Sequence, residues 1–440
     1  MARTISLELN ELNFHYVKSY VDNGKLRNFA TLFERCDVVT TVAESGYPNL
    51  EPWIQWPTVY SGLSYQEHGI FRLGDVVNSQ HKQVWEVLES QGFRVGAVSP
   101  MNAANRCEAA DFFLPDPWTN TKITANERVT ALFNVVSSVV NSNATEPVSF
   151  IKVGRKLLPL ALPFISIKSL PQYVRILLKA IRYNWAKAAF LDRLLADLFV
   201  GLVVKNDTEF ASLFLNAGAH IQHHHTYDSA AYSGKRSNPT WYSPAAGRGV
   251  DPLLFIYDTY DAILGEILAL EDTRVILITG LSQIPNERDH YQYRPIDFNR
   301  FLGLVDVRNG KCEARMSRDF LLSFDGRDSA ELAIKSLALV SVAGRPFFSV
   351  EDRGTSLFCQ VSYFGPPDGL RSIDVGGKKV DFSSELALVS IENAIHQTTG
   401  YFVDSGVSRG TLPAEIPLTG VFSRLLEAAA DMRIKSRALA

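Results

Sequence analysis

The stretch Arg274-Val275-Ile276-Leu277-Ile278-Thr279 narrows the possible folds more than any other part of this sequence. From Val275 to Thr279 every residue is apolar or β-branched, and nothing alternates. A half-exposed strand alternates, so a run of this kind belongs to a central strand of a parallel sheet covered on both faces. Pro252–Leu270 before it reads as a helix, with Pro252 in its first turn. The opening of the chain repeats the theme. Thr4–Leu9 reads as a strand, Phe14–Tyr20 and Leu26–Arg35 as helices, and Asp37–Val42 as a β-prone run. Val84–Gln91 and Arg94–Val98 then give a helix and a strand. Strands alternating with helices build right-handed βαβ units. The expected fold class is therefore α/β, a mainly parallel central sheet with helices on both faces.

Two segments interrupt the alternation. Residues 120–205 read as mostly helical, punctuated by Pro159, Pro163 and Pro171. Residues 313–365 read as a strand (Asp319–Phe324), a helix (Ser329–Val340) and two strands (Pro346–Val350, Ser356–Tyr363). The expected organisation is thus an α/β core made of 1–119, 206–312 and 366–440, a basic helical insertion at 120–205, and a small α+β cap at 313–365. The 440 residues suit two ordinary domains or one large α/β domain with insertions.

Composition sets some functions aside. Lys+Arg number 44 against 47 Asp+Glu, a net charge of -3, which argues against a nucleic-acid binder. With 46% hydrophobic and 21% charged residues the chain can bury a large core. Cys36, Cys107, Cys312 and Cys359 are scattered with no CxxC pair, against a disulfide framework or a thiolate zinc site. No signal-like apolar run follows Met1-Ala2-Arg3, and no run reaches the ~18 apolar residues that span a bilayer. A cytoplasmic protein with reduced cysteines is expected.

Three short segments carry candidate chemistry. Four of the nine histidines, His220, His223, His224 and His225, follow Phe214-Leu215-Asn216-Ala217-Gly218-Ala219. They are either metal ligands, with Gly218 letting the backbone turn closely around a ligand, or incidental members of a polar loop. Asn49-Leu50-Glu51-Pro52-Trp53-Ile54-Gln55-Trp56-Pro57-Thr58 places Pro52 at a helix start, where an anion could sit; the plainer reading is a packed aromatic helix. Pro57 should kink that helix or move its start. His396, alone in Asn393–Gly400, is a ligand or a structural histidine.

Taken together and in order, these pieces resemble the alkaline phosphatase superfamily, especially its type I phosphodiesterase and sulfatase branch. Ser61-Gly62 and His68-Gly69-Ile70 match the stretch that follows the family's nucleophile. Asn216 and His220 fall at the aspartate and histidine of its Pro-Asp-x-x-Gly-His motif, and His396 at its late metal-binding histidine. Glu8 takes the place of the acidic ligand that ends the first strand, with Asn10 and Glu11 as neighbours. The departures are as informative. Glu51 or Pro52 stands in the nucleophile slot, with Thr58 the next hydroxyl, and Thr279-Gly280-Leu281-Ser282-Gln283 replaces the family's Ser-Asp-His-Gly. The resemblance therefore implies one divalent metal, such as zinc, rather than two, held by Glu8, Asn216, His220 and His396. Glu51, Thr58 and His223 are the catalytic candidates.

Between Ile151 and Leu191 lie eight basic residues and no acidic one. Interleaved with Leu and Ile, they suit an anionic substrate, a peripheral membrane contact through 151–191, or a solvated helical face. The expected function is a metal-dependent hydrolase or transferase of a phosphate or sulfate ester. Its substrate would be an anionic small molecule or a lipid-linked ester, and nucleic acid is not an expected partner. The alternative is a catalytically degenerate binding or scaffold protein that keeps the fold.

Overall fold

The computed structural model describes residues 2–44, 46, 50–142, 150–245, 248–314 and 318–439, without the side chains at 141–142, 150–153, 314 and 439. Asn49 and the side chain of Lys152 lie outside that part. The chain divides into two compact units, one ending at Pro285 and resuming at Ala394, the other spanning Asn286–Asn393. The helical segment 120–205 falls in the first unit, and the second extends beyond 313–365 at both ends.

The first unit is built on an eight-stranded sheet. Its middle is β1 (Arg3–Leu9), flanked in parallel by the strands Phe210–Leu215 and Thr273–Ile278. Val95–Val98 and Phe112–Leu114 continue the sheet on one side, again parallel. On the other side Thr399–Asp404 runs antiparallel, followed by Val38–Val42 and Glu415–Pro417. Mainly parallel order explains the unalternated run at Val275–Ile278. Val275 and Leu277 pack into one core with Phe14, Phe29 and Leu264, while Ile276 and Ile278 pack into a second with Trp56, Trp85 and Leu425. Helices thus cover both faces. β1 itself is divided by chemistry: Ile5, Leu7 and Leu9 enter the first core, and Thr4, Ser6 and Glu8 point the other way.

Most elements lie within a residue or two of the expected bounds. The helix Pro52–Ser61 carries Pro57 in its interior. Proline leaves the carbonyl four residues back without its helical donor. That carbonyl belongs to Trp53, and the buried Asn102 side chain donates to it at 2.6 Å. Thus the helix starts at Pro52 and continues through Pro57, because a side chain from elsewhere supplies the missing hydrogen bond.

The second unit has its own core around Phe301, Phe320, Phe347 and Leu357. It combines the helices Phe298–Leu304 and Arg327–Ala338 with antiparallel sheets, the larger including Asp319–Ser323, Phe348–Asp352 and Ser356–Val361.

Candidate metal centre

The site lies in the first unit, just past the carboxyl ends of three adjacent parallel strands, where open α/β sheets hold ligands. Three connections leave these ends. After β1 the chain turns at Glu11, with φ 58, a left-handed conformation that side chains other than glycine rarely adopt. Two bonds hold it there: the Glu11 N–H donates to Thr279 O at 3.0 Å, and Gln222 Nε2 donates to Glu11 O at 2.8 Å. After Phe210–Leu215 comes the helix Ala217–His225, carrying His223. After Thr273–Ile278 comes the short strand Ser282–Pro285, which pairs antiparallel with the distant Ala394–Gln397 and sets His396 opposite Gln283. A Cβ on Gly400 would lie 2.4 Å from Gly280 O, so only glycine allows the strand after His396 to approach so closely.

These connections converge on one point. Glu11 Oε2 lies 3.0 Å from His223 Nε2 and 3.0 Å from His396 Nε2, and the two nitrogens are 3.2 Å apart. His223 Nδ1 lies 2.8 Å from Ala394 O. A carbonyl only accepts, so Nδ1 carries the proton and a neutral His223 turns the lone pair of Nε2 toward the cluster. His396 Nδ1 faces Glu51 Oε2 at 3.6 Å. Each histidine thus has an oxygen behind it, as metal-binding imidazoles usually do.

The donor set fits a divalent cation. With metal–ligand bonds of about 2.0–2.1 Å, ligand atoms around tetrahedral zinc are about 3.3 Å apart. The observed triangle has edges of 3.0, 3.0 and 3.2 Å. Gln283 Nε2 donates to Glu11 Oε2, while the buried Gln283 Oε1 has no hydrogen-bond partner among the described residues, which leaves an amide oxygen beside the cluster. Burial opposes ionisation of Glu11, but the neighbouring His396 and His223 outweigh it and hold the carboxyl well below its usual range. That pull needs protons on the histidine Nε2 atoms, which a bound cation would displace.

The other candidates occupy different surroundings. Glu8 sits in the second core, accepting from Tyr60 Oη at 2.7 Å and Ser6 Oγ at 2.9 Å. Asn216 precedes the His223 helix without a side-chain cap bond to it, and its Oδ1 accepts from Asn10 Nδ2. Asn10 also donates to Glu11 Oε1 at 2.8 Å and accepts from Trp56 Nε1 at 2.7 Å, which links Asn216 to the cluster through one side chain. His220 lies about one turn before His223 and meets His224 edge-on, their ring centroids 4.7 Å apart. Its ring reaches solvent, but so much protein surrounds it that desolvation, with His225 and His223 nearby, pushes its pKa down to about 4. Gly218 serves packing: a Cβ there would lie 2.8 Å from Leu12 and Tyr260.

Thr58 is buried, with Oγ1 3.1 Å from His68 Nε2. His68 Nδ1 accepts from the Ile70 N–H at 2.9 Å, so Nε2 bears the proton and donates to Thr58. A base that activated Thr58 would have to accept instead. Glu51 stands before Pro52, where it makes no side-chain cap bond to the helix, and is about a third exposed. Gln283 and Asn10 complete the surroundings of the cluster. Gln283 was visible in the sequence only as a departure from the Asp-His pair, and nothing local marked it as a partner of Glu11.

Glu8 gives a pH prediction of its own. Burial is the largest influence on it and raises its pKa to about 8, against the lowering effect of Tyr60 and Ser6. Between the unfolded value near 4.5 and about 8 the folded protein holds a proton that the unfolded chain has lost. Stability therefore declines as pH rises through this window and levels off above it. Glu8→Gln removes the titration. From about pH 6 to about pH 9 its urea-unfolding free energy should gain roughly 2–3 kcal/mol relative to wild type, at about 1.4 kcal/mol per pH unit. Parallel pH profiles for the two proteins would contradict this.

No protein-family model matches the chain, and no curated protein does. Solved structures similar to it are found at low sequence identity. One is phosphonoacetate hydrolase from Sinorhizobium meliloti 1021 in complex with phosphonoacetate, 12% identical, covering 97% of this chain and 96% of that one, TM-score 0.43. Another is an inactive variant of murine ectonucleotide pyrophosphatase / phosphodiesterase 5 in complex with AMP, 12% identical, covering 98% and 95%, TM-score 0.44. A third is a mutant of TAB5 alkaline phosphatase with magnesium bound, 10% identical, covering 97% of each chain, TM-score 0.38.

Proposed function

We propose that this protein is a hydrolase of phosphate or sulfate esters that works with a single divalent cation, held by Glu11, His223 and His396. The observation that carries the proposal is the triangle of one charged carboxylate oxygen and two imidazole nitrogens at 3.0, 3.0 and 3.2 Å. A divalent cation there would supply Lewis-acid stabilisation of the ester oxygens. Glu11 gives the cluster its negative charge, and the Ala394 carbonyl fixes the tautomer of His223. Glu51, beside His396 at the start of the helix Pro52–Ser61, is placed to take a proton from an attacking water. The substrate is an anionic small molecule, which a lipid-linked ester also satisfies. Gln283 replaces the Asp-His pair that a second cation would need, so one site is expected.

The test is turnover of a panel of aryl phosphates, phosphodiesters and sulfates by protein stripped with a chelator and then reloaded with zinc, magnesium or manganese. At least one ester should be hydrolysed, with activity lost on stripping and restored by one cation. Activity that survives chelation would rule out the cation. Stoichiometric cation binding without any turnover would favour the binding or scaffold reading, which Gln283 and the absence of a hydroxyl at Glu51 already support.

A further inference from the structure

The segment between Ile151 and Leu191 has a second face that packing does not use. The helix Leu170–Ala180 lies against Ala186–Asn206 and buries Tyr173, Ile176 and Ala180. Its opposite side should be polar if it merely met water. Instead Ile167, Leu170, Val174, Leu178 and Ile181 follow one another at steps of three or four residues, which sets them in one stripe. All are exposed: Ile167 is 85% accessible, Val174 56%, Leu178 64% and Ile181 80%. A continuous apolar patch of this kind marks an interaction surface.

The charges around it indicate the partner. Lys168, Arg182 and Lys187 are exposed beside the stripe. The acidic groups beneath are already engaged: Asp197 and Glu266 with Arg193, and Asp258 with Arg175, whose guanidinium also lies 4.7 Å from the Phe255 ring centroid. Arg175 is therefore paired with Asp258 and is left out of the outer charge. An apolar stripe bordered by exposed cations has the chemistry of a helix lying in the headgroup layer of an anionic bilayer. No described helix is long and apolar enough to cross a membrane.

We propose that the outer face of Leu170–Ala180, extended by Ile167 and Ile181 and bordered by Lys168 and Arg182, docks on an anionic lipid bilayer. The apolar side chains enter the boundary between headgroups and acyl chains, and the basic ones meet lipid phosphates.

Flotation of the full-length protein tests this with two kinds of vesicle, pure phosphatidylcholine and equal parts phosphatidylcholine and phosphatidylglycerol. Wild type should float with the mixed vesicles, less so in high salt, and not with the neutral ones. Lys168→Glu/Arg182→Glu should weaken binding on the order of tenfold or more. Val174→Ser/Leu178→Ser/Ile181→Ser should weaken it at least as much, with thermal unfolding checked to show that both variants are folded. Absence of wild-type flotation, or equal binding by both variants, would overturn the proposal. So would sedimentation showing a wild-type dimer that the triple variant dissociates, since a second copy would then be what covers the stripe.

Discussion

Glu11→Gln should abolish tight binding of a divalent cation while leaving the protein folded. The substitution keeps the shape of the side chain and removes the one negative charge shared by His223 Nε2 and His396 Nε2, each 3.0 Å away. Loss of a partner behind a ligand lowers metal affinity by about 10–100-fold, and loss of the charged ligand itself should exceed that. In a calorimetric zinc titration, wild type is expected to show one saturable site. Glu11→Gln and His396→Ala should each fall more than about 100-fold in affinity, and esterase activity should fall with them. Glu8→Gln should bind zinc as wild type does, because Glu8 faces Tyr60 and Ser6 in the second core. Equal affinity for zinc in wild type and Glu11→Gln would remove the cluster from the account.

Glu51→Gln should lower kcat by about 10²–10⁴-fold, the usual contribution of a positioned general base. Zinc affinity should fall by no more than about 10–100-fold, because Glu51 lies behind His396 rather than in the triangle. The acid limb of the pH–rate profile, which reports the base, should disappear with the carboxylate. A loss of zinc affinity that accounts for the whole effect, with the acid limb retained, would make Glu51 a positioning residue for His396. The same geometry predicts the stereochemistry. Thr58 is buried and accepts a hydrogen bond from His68, and no hydroxyl stands at the helix start. A single displacement by water follows, and it inverts a chiral phosphorothioate ester; retention would require a covalent intermediate.

Much of this fold could be read from the sequence because burial imprints itself on composition. Val275–Ile278 lack alternation since each faces one of two cores. The strand Phe210–Leu215 obeys the same rule, yet with Ala211 and Ser212 in it the stretch is too mixed to stand out. The site was legible by residue type and less so by position. Histidines are few, and the sequence marks His396 as a metal-ligand candidate and His223 as a catalytic one. Between Glu8 and Glu11 the strand pattern favours Glu8, whereas the cluster forms at Glu11 through a left-handed turn held by Thr279 and Gln222. No local pattern announces a non-glycine residue with positive φ. Within the helix Ala217–His225, motif alignment selects His220; the pairing of His223 with Ala394 depends on a strand 171 residues away. Arg175 makes the same point, since its partner Asp258 lies in another helix.

The most direct test of the central claim is anomalous diffraction from zinc-soaked crystals of the full-length protein. One strong peak is expected, bounded by Glu11 Oε2, His223 Nε2 and His396 Nε2. Two peaks about 3.5–4 Å apart, the spacing of a two-metal clamp, would contradict it, as would a peak elsewhere with this triangle empty.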